Sequence, residues 1–178
     1  MRGDADRQAA EERFREVFSH LAAVTAYARR RGSADADGIA AETMTIAWRR
    51  LGDVPADDPL PWLYATARNL LLAEARRGDR RSRLREADEF APAPALSELD
   101  PELERALRSL RPGDREALLL VAWEDLTPSQ AARALGVNAT AFRVRLLRAR
   151  RRLRASLEAA GADAPALACP VQLDLEET

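Results

Sequence analysis

Apolar side chains recur every three or four residues along most of this chain, which is the spacing of an α-helix with one buried face. Ala, Leu, Arg and Glu, which favour helix, fill these segments, and glycines and prolines separate them. The first helix is expected to end at Gly32 and the third near Gly78, and Trp48 and Trp123 are expected in the core. The pattern predicts helices over residues 10–31, 35–51, 62–77, 101–110, 113–124, 128–135 and 138–159.

Basic and acidic residues are concentrated in separate segments of the sequence, although 28 basic and 29 acidic residues leave a net charge of −1. Residues 66–85 hold seven arginines against two acids, and residues 126–157 hold eight arginines and no acid. Residues 86–100, directly after the first block, hold five acids, two prolines and no arginine, a composition that buries little and favours an extended chain. We therefore predict an all-α fold class with two small helical domains, residues 1–85 and 101–160, joined by an acidic flexible linker, 86–100, and followed by an acidic, disordered tail, 161–178.

The most basic stretch, FRVRLLRARRRLRASL at 142–157, contains seven arginines in sixteen residues. On a helix, five apolar side chains fall on one stripe, and the arginines cover the remaining circumference. Like charges three or four residues apart repel each other, so a band without acids favours a polyanionic partner over simple solvation. The stripe comprises Phe142, Leu146, Ala149, Leu153 and Leu157.

The residues just before this stretch have the pattern of a helix-turn-helix. Thr127 can cap a short helix with Pro128 at its first position, Gly136 can form the turn, and Asn138 can cap the next helix. Such a pair places its second helix in the major groove of duplex DNA. We therefore expect DNA binding by this part of the chain.

The helix that starts at Trp62 suggests a different nucleic-acid contact. One of its faces collects an aromatic ring, polar side chains and arginines, which suit unstacked bases and their backbone. This face comprises Trp62, Thr66, Asn69, Ala73, Arg76 and Arg77. For Trp62, core packing is an equally good interpretation.

The sequence favours no catalytic, metal or cofactor chemistry. His20 and Cys169 are the only residues of their types, and neither GxGxxG nor GxxxxGK occurs. A non-enzymatic protein without cofactor is therefore expected. A single cysteine, and the lack of an apolar run long enough to cross a membrane, predict a cytoplasmic protein without membrane insertion, associated with the nucleoid when active.

Three strings together resemble a known family. They are DADGIAAETMTIAWRRL, PWLYATARNLLLAEARR and LRPGDREALLLVAWEDLTPSQAARALGV followed by RVRLLRARRRLR. In this order they resemble regions 2 and 4 of bacterial RNA polymerase sigma factors of the extracytoplasmic-function group, over about residues 11–157. The resemblance implies a factor that binds core RNA polymerase and directs it to promoter DNA, and it leaves room for an anti-sigma factor as a further partner.

The resemblance also implies roles for individual residues. The −10 single strand would meet Trp62, Thr66, Asn69, Arg76 and Arg77, with the loop from Asp53 to Pro61 holding a flipped-out base. Core polymerase would meet Glu42, Thr45 and Arg49. The −35 duplex would meet Asn138, Thr140, Ala141, Arg143, Arg145 and Arg148. The acidic linker, which spans at most about 50 Å when extended, could bridge the two promoter elements.

Two other interpretations fit the same sequence. One is a stand-alone helix-turn-helix regulator that binds duplex DNA without polymerase, with residues 1–85 as a sensing or dimerising domain. The other is an adaptor that holds polymerase without reading DNA, its arginines facing an acidic partner.

Overall fold

The structure, a computed structural model, describes residues 2–82 and 100–159. Within these residues the chain is helical and contains no β-strand, which confirms the all-α fold class. The predicted tail, and all of the predicted linker except Asp100, lie outside the described residues. The helices are α1 (Arg2–Phe18), α2 (Leu21–Arg30), α3 (Ala36–Arg49), α4 (Leu60–Ser82), α5 (Pro101–Ser109), α6 (Pro112–Ala122), α7 (Pro128–Leu135) and α8 (Ala139–Ala159), with a short 3-10 turn at Leu51–Asp53.

Helices α1 to α4 form a first bundle, in which α3 packs against the other three helices. The N-terminus of α3 is set by Asp35, whose carboxylate accepts a hydrogen bond of 2.9 Å from the amide of Gly38. Such a cap satisfies one of the amides that the first helical turn leaves unpaired. Fully buried side chains of this bundle include Val24, Ala40, Leu63 and Ala67.

Helices α5 to α8 form a second bundle around α8, which packs against α5, α6 and α7. Asp100 caps α5 by accepting from the amide of Glu102 at 2.9 Å, and Pro101 follows at the first helical position, where its missing amide hydrogen costs nothing. All five apolar residues of the predicted stripe on α8 are buried, and Phe142 is fully buried. The stripe therefore anchors α8, as its spacing predicts.

The two bundles are in contact with each other. Helix α7 lies against α4, and buried residues of both bundles belong to one hydrophobic cluster. The sequence boundaries given above for the two domains stay predictions. In the described residues, the two bundles pack against each other. Nothing in the helical pattern anticipates this contact, because it joins residues that are far apart in sequence.

Three local predictions are wrong. The single helix expected over 10–31 is interrupted between α1 and α2. At this break the Ser19 hydroxyl donates to the Glu16 carbonyl, and His20 has φ −85° and ψ 3°. Helix α4 continues through Gly78, where a glycine weakens a helix by only about 1 kcal/mol. Trp48 is 45% exposed rather than part of the core. Trp123, in contrast, is partly buried against the core as expected.

Candidate nucleic-acid interface

The helix-turn-helix is built by α7, a glycine turn and α8. The Thr127 hydroxyl accepts from the amide of Gln130 at 3.3 Å, and the Gln130 side chain accepts from the amide of Thr127 at 2.9 Å, a reciprocal capping box. Pro128 begins the helix. These contacts confirm the capping roles predicted for Thr127 and Pro128.

The turn between the two helices depends on one backbone conformation. Gly136 has φ +65°, a left-handed conformation that only glycine adopts at little cost, and it ends α7. Two residues later, the Asn138 side chain accepts from the amide of Thr140 at 2.8 Å, which caps α8. The turn and cap therefore fix the direction of α8 relative to α7.

The early part of α8 presents the predicted duplex-contacting residues to solvent. All of them are exposed: Asn138, Thr140, Ala141, Arg143, Arg145 and Arg148. The buried stripe holds the opposite side of α8 on the bundle, so these side chains share an outward surface. Their role in DNA binding stays a prediction.

The arginine band on α8 is less uniform than its sequence indicates. Arg152 forms an ion pair with Asp114 of α6, a residue 38 positions earlier in the chain. An acid from another helix therefore relieves part of the repulsion that the local sequence leaves unbalanced. At least one arginine of the band serves packing within the bundle.

On α4, the predicted single-strand face is only partly available. Asn69 and Arg76 are exposed, whereas Trp62 is half-buried against the core and the Thr66 hydroxyl donates to the Trp62 carbonyl at 3.0 Å. The Arg50 guanidinium lies 6.0 Å from the centre of the Trp62 ring. Arg77 lies in α4, but its side chain is outside the described part of the chain. The predicted single-strand face therefore consists of exposed Asn69 and Arg76 beside the half-buried indole of Trp62.

The loop expected to hold a flipped-out base is tied at two points. The Arg13 guanidinium donates to the carbonyl of Val54, whose side chain is buried. Further along, the Asp58 carboxylate accepts from the Gln130 side chain at 3.1 Å and from Arg133, both on α7. The second bundle therefore occupies one side of this loop.

On α3, the residues predicted to meet polymerase are exposed, and one of them lines an apolar groove. Glu42, Thr45 and Arg49 all face solvent, and Thr45 also lines the groove, which has a volume of about 630 Å³. Its other lining residues are Glu11, Phe14, Phe18, Leu21, Ala41, Met44 and Trp48. The sequence interpretation missed this groove because it assigned Trp48 to the core; the signal was the aromatic pair Phe14 and Phe18, four residues apart on α1.

Comparison with known proteins identifies the two bundles. The family model for Sigma-70 region 2 matches residues 17–81, and the one for Sigma-70, region 4 matches residues 101–153, together about two thirds of the chain. This chain belongs to the sigma-70 family. The predicted membership in the extracytoplasmic-function group of sigma factors is confirmed.

Individual sigma factors resemble the chain over most of its length. A probable RNA polymerase sigma factor, RfaY, from Xanthomonas campestris is 38% identical over an alignment of 141 residues, and the match covers 71% of this chain. The matched part covers 35% of that relative, so the chain spans about a third of its length.

Two solved structures have the same arrangement of helices. One is sigma factor RpoE from Bartonella quintana in complex with the anti-sigma factor NepR, with a TM-score of 0.60 and 26% identity over 81% of this chain and 95% of that one. The other is CnrH in complex with the cytosolic domain of CnrY, with a TM-score of 0.60 and 28% identity over 87% of this chain and 98% of that one. Among residues 2–82 and 100–159, no helix is both long and apolar enough to span a bilayer.

Proposed function

We propose that this chain is a promoter-recognition subunit, which binds core RNA polymerase and directs transcription initiation through the −10 and −35 elements. The observation that carries the proposal is the match of both sigma-70 regions, in the family's order, to the two bundles. A stand-alone helix-turn-helix regulator needs no region 2, and an adaptor that does not read DNA needs no exposed recognition surface on α8. We infer a non-catalytic role in the cytoplasm.

Region 4 is proposed to read the −35 duplex with α8. Exposed Arg143 and Arg145 lie in its first turns, where a helix in the major groove meets base edges. Arginine can donate two hydrogen bonds to one guanine, so it gives both sequence preference and affinity. The arginines nearer the C-terminus of α8 lie further along the helix and suit phosphate contacts, which position a protein on DNA but carry no sequence information.

Region 2 is proposed to bind the unpaired −10 strand along α4. Asn69 and Arg76 form an exposed polar and cationic rim, and the half-buried Trp62 is the aromatic side chain proposed for stacking. Base stacking on an aromatic side chain contributes about 1–3 kcal/mol per base. Arg77 is assigned to the same −10 surface on the basis of the sequence alone.

Core polymerase is proposed to bind the exposed side of α3 at Glu42, Thr45 and Arg49, beside the apolar groove. Two relatives have structures solved in complex with partner proteins, and one of these partners is named an anti-sigma factor. That supports an anti-sigma factor as a second partner of this chain.

Run-off transcription with sigma-free core polymerase tests the function. The chain is added to core enzyme and genomic DNA, and the 5′ ends of the transcripts are sequenced. We expect starts at a defined set of sites that share a −10 and a −35 element, and none with core enzyme alone. Tight binding of the free chain to intact duplex, with no transcripts, would favour the stand-alone regulator instead.

Substitutions on α8 then test the assignment to the −35 element. Arg143→Ala and Arg145→Ala are expected to lower run-off product by roughly tenfold or more at a promoter with a good −35 element. Arg154→Ala is the comparison variant, since it removes an exposed charge about 14 to 16 Å further along the helix. A phosphate contact there carries no sequence information, so its effect should not depend on the quality of the −35 element. An adaptor that does not read DNA would show equal effects from all three, or effects on polymerase binding alone.

A further inference from the structure

Val144 and Leu147 place apolar side chains on the outer surface of α8. They are 42% and 50% exposed, and they are two of the four large apolar side chains that are exposed within residues 2–82 and 100–159. The other two, Phe18 and Trp48, line the groove of the first bundle. Val144 and Leu147 instead belong to the first turns of α8, the part that a helix-turn-helix presents to DNA.

Together with Thr140, these two residues form one face of the helix. Thr140, Val144 and Leu147 follow the i, i+4, i+7 spacing that aligns side chains along one side of a helix. Thr140 is also exposed, and it adds a methyl group beside its hydroxyl. At about 100° per residue, Val144 lies about 180° from the middle of the buried stripe. We call these three residues the outer patch, which faces away from the bundle.

The outer patch contributes little to the fold of region 4. Its side chains face solvent, so they bury little apolar surface on folding. Valine also forms helix less readily than alanine or arginine, because its branched side chain loses rotamer freedom there. A single exposed apolar residue is common and needs no explanation. Three methyl-bearing side chains at helical spacing, on the surface proposed to meet DNA, indicate contact with an apolar group of a ligand.

The charges around the outer patch favour DNA as its partner. Arg143, Arg148 and Arg151 are exposed and border the patch, and residues 126–157 contain no acid. Burying these arginines against an apolar protein surface would remove water from their charges without supplying a counter-charge, which is costly. Duplex DNA, in contrast, offers phosphates to the arginines and base edges to the patch between them.

The C5 methyl of thymine is the apolar group that bases display in the major groove. The other base features in that groove are hydrogen-bond donors and acceptors, which an aliphatic side chain cannot satisfy. From Thr140 to Leu147 the outer patch extends about 10 Å along the helix. That length matches about three base-pair steps of about 3.4 Å each. The patch is therefore long enough to meet methyl groups on neighbouring A·T pairs.

We propose that the outer patch selects the −35 sequence by contacting the C5 methyl groups of neighbouring thymines. The proposal rests on the function proposed above and adds to it a set of specificity-determining residues. Arg143 and Arg148 bind flanking bases and phosphates, whereas Val144 and Leu147 select thymine, the base that carries the methyl group. At each contacted pair, the preference comes from burial of one methyl group between the patch and the base.

Deoxyuridine substitution tests this contact, because uracil lacks the C5 methyl of thymine and keeps its hydrogen-bonding groups. Holoenzyme is assembled from the full chain and core polymerase. A promoter mapped by run-off transcription is synthesised with the thymines of its −35 element replaced one at a time, and affinity is measured by competition against the unmodified promoter. At neighbouring positions we expect a loss of about three- to fivefold per contacted thymine, the value for one buried methyl group.

Variants of the patch identify the side chain that meets each methyl group. In holoenzyme with Val144→Ala, uracil at the contacted position should cost nothing further, and Leu147→Ala should abolish the uracil effect at a neighbouring position. Thr140→Ser, which removes one methyl group and keeps the hydroxyl, should do so at a third. Arg154→Ala is the control, because loss of a phosphate contact should weaken binding to thymine and uracil promoters equally. All four side chains are exposed, so circular dichroism should show melting within about 2 °C of wild type.

The possible outcomes separate this proposal from the proposed function. If uracil has no effect at any −35 thymine, or if its effect persists in both alanine variants, the proposal is overturned, while transcription from the mapped promoters still supports the function. A −35 element without neighbouring A·T pairs also overturns it. Weaker binding of both alanine variants to core polymerase without DNA, with the thymine preference intact, would mean that the patch contacts polymerase instead. Holoenzyme that starts no transcripts rejects the proposed function, and this proposal with it.

Discussion

Shortening Leu146 to alanine tests whether the apolar stripe holds α8 on the second bundle. Leu146 is 4% exposed, whereas its neighbour Leu147 is 50% exposed on the same helix. Truncating a buried leucine removes its transfer free energy and leaves a cavity, for a cost of about 2–5 kcal/mol. A surface leucine changes stability by less than about 0.5 kcal/mol. Both variants replace leucine by alanine in α8 and keep every arginine, so helix propensity and charge change equally.

Thermal unfolding followed by circular dichroism measures the difference. For a chain of this size, each kcal/mol moves the melting temperature by about 2–4 °C, so Leu146→Ala should melt roughly 5–15 °C below wild type. Leu147→Ala should melt within about 2 °C of wild type. Similar melting temperatures for the two variants would refute the argument, since the stripe would then contribute no more than the solvent-facing side of α8.

Other residues give smaller, separate predictions. Gly136→Ala forces a non-glycine residue to φ +65° and should destabilise region 4 by about 1–2 kcal/mol, as measured by urea unfolding. Gly52→Ala is the control and should not destabilise the protein, because no atom lies within 4 Å of the added carbon. Equal urea midpoints for the two variants would contradict this argument. Thr127→Ala removes a capping box and should cost about 1 kcal/mol, a loss that Thr127→Ser should restore in the same assay. Burial, followed by the charge of Glu124, raises the pKa of Tyr64 from 10.0 to about 12. The unfolded chain therefore releases this proton first, and stability should fall as the pH rises from 10 to 12, less so in Tyr64→Phe; identical pH profiles for the two proteins would exclude this cause.

Features that depend on near neighbours in the sequence were predictable. The buried stripe on α8 follows from a helical period, and the capping box of Thr127 and the glycine turn follow from residue types at fixed offsets. The break between α1 and α2 was missed because the apolar period continues through it, while the Ser19 hydroxyl competes for a backbone carbonyl. Trp48 was missed because a large apolar side chain is usually buried, whereas here it lines a groove open to solvent.

The candidate site was likewise predictable only where it depends on near neighbours in the sequence. The duplex-contacting set on α8 is exposed, as a helix anchored by the opposite stripe requires. The single-strand face on α4 was only partly predictable, because the depth to which Trp62 is buried depends on what packs beside it. The pairing of Arg152 with Asp114 was not predictable from the basic stretch, since its partner lies on α6.

The sequence alone determined the all-α class, the helix-turn-helix, the sorted charge and the family, because each of these is carried by local periodicity or by strings of neighbouring residues. Only the tertiary structure decided that region 4 rests on region 2. That contact joins Arg31 to Glu116 and Glu124, 85 and 93 positions away. Nothing in the local spacing marks these three charges among the chain's many others, because a charged side chain on a helix surface looks the same in sequence whether it meets water or a partner.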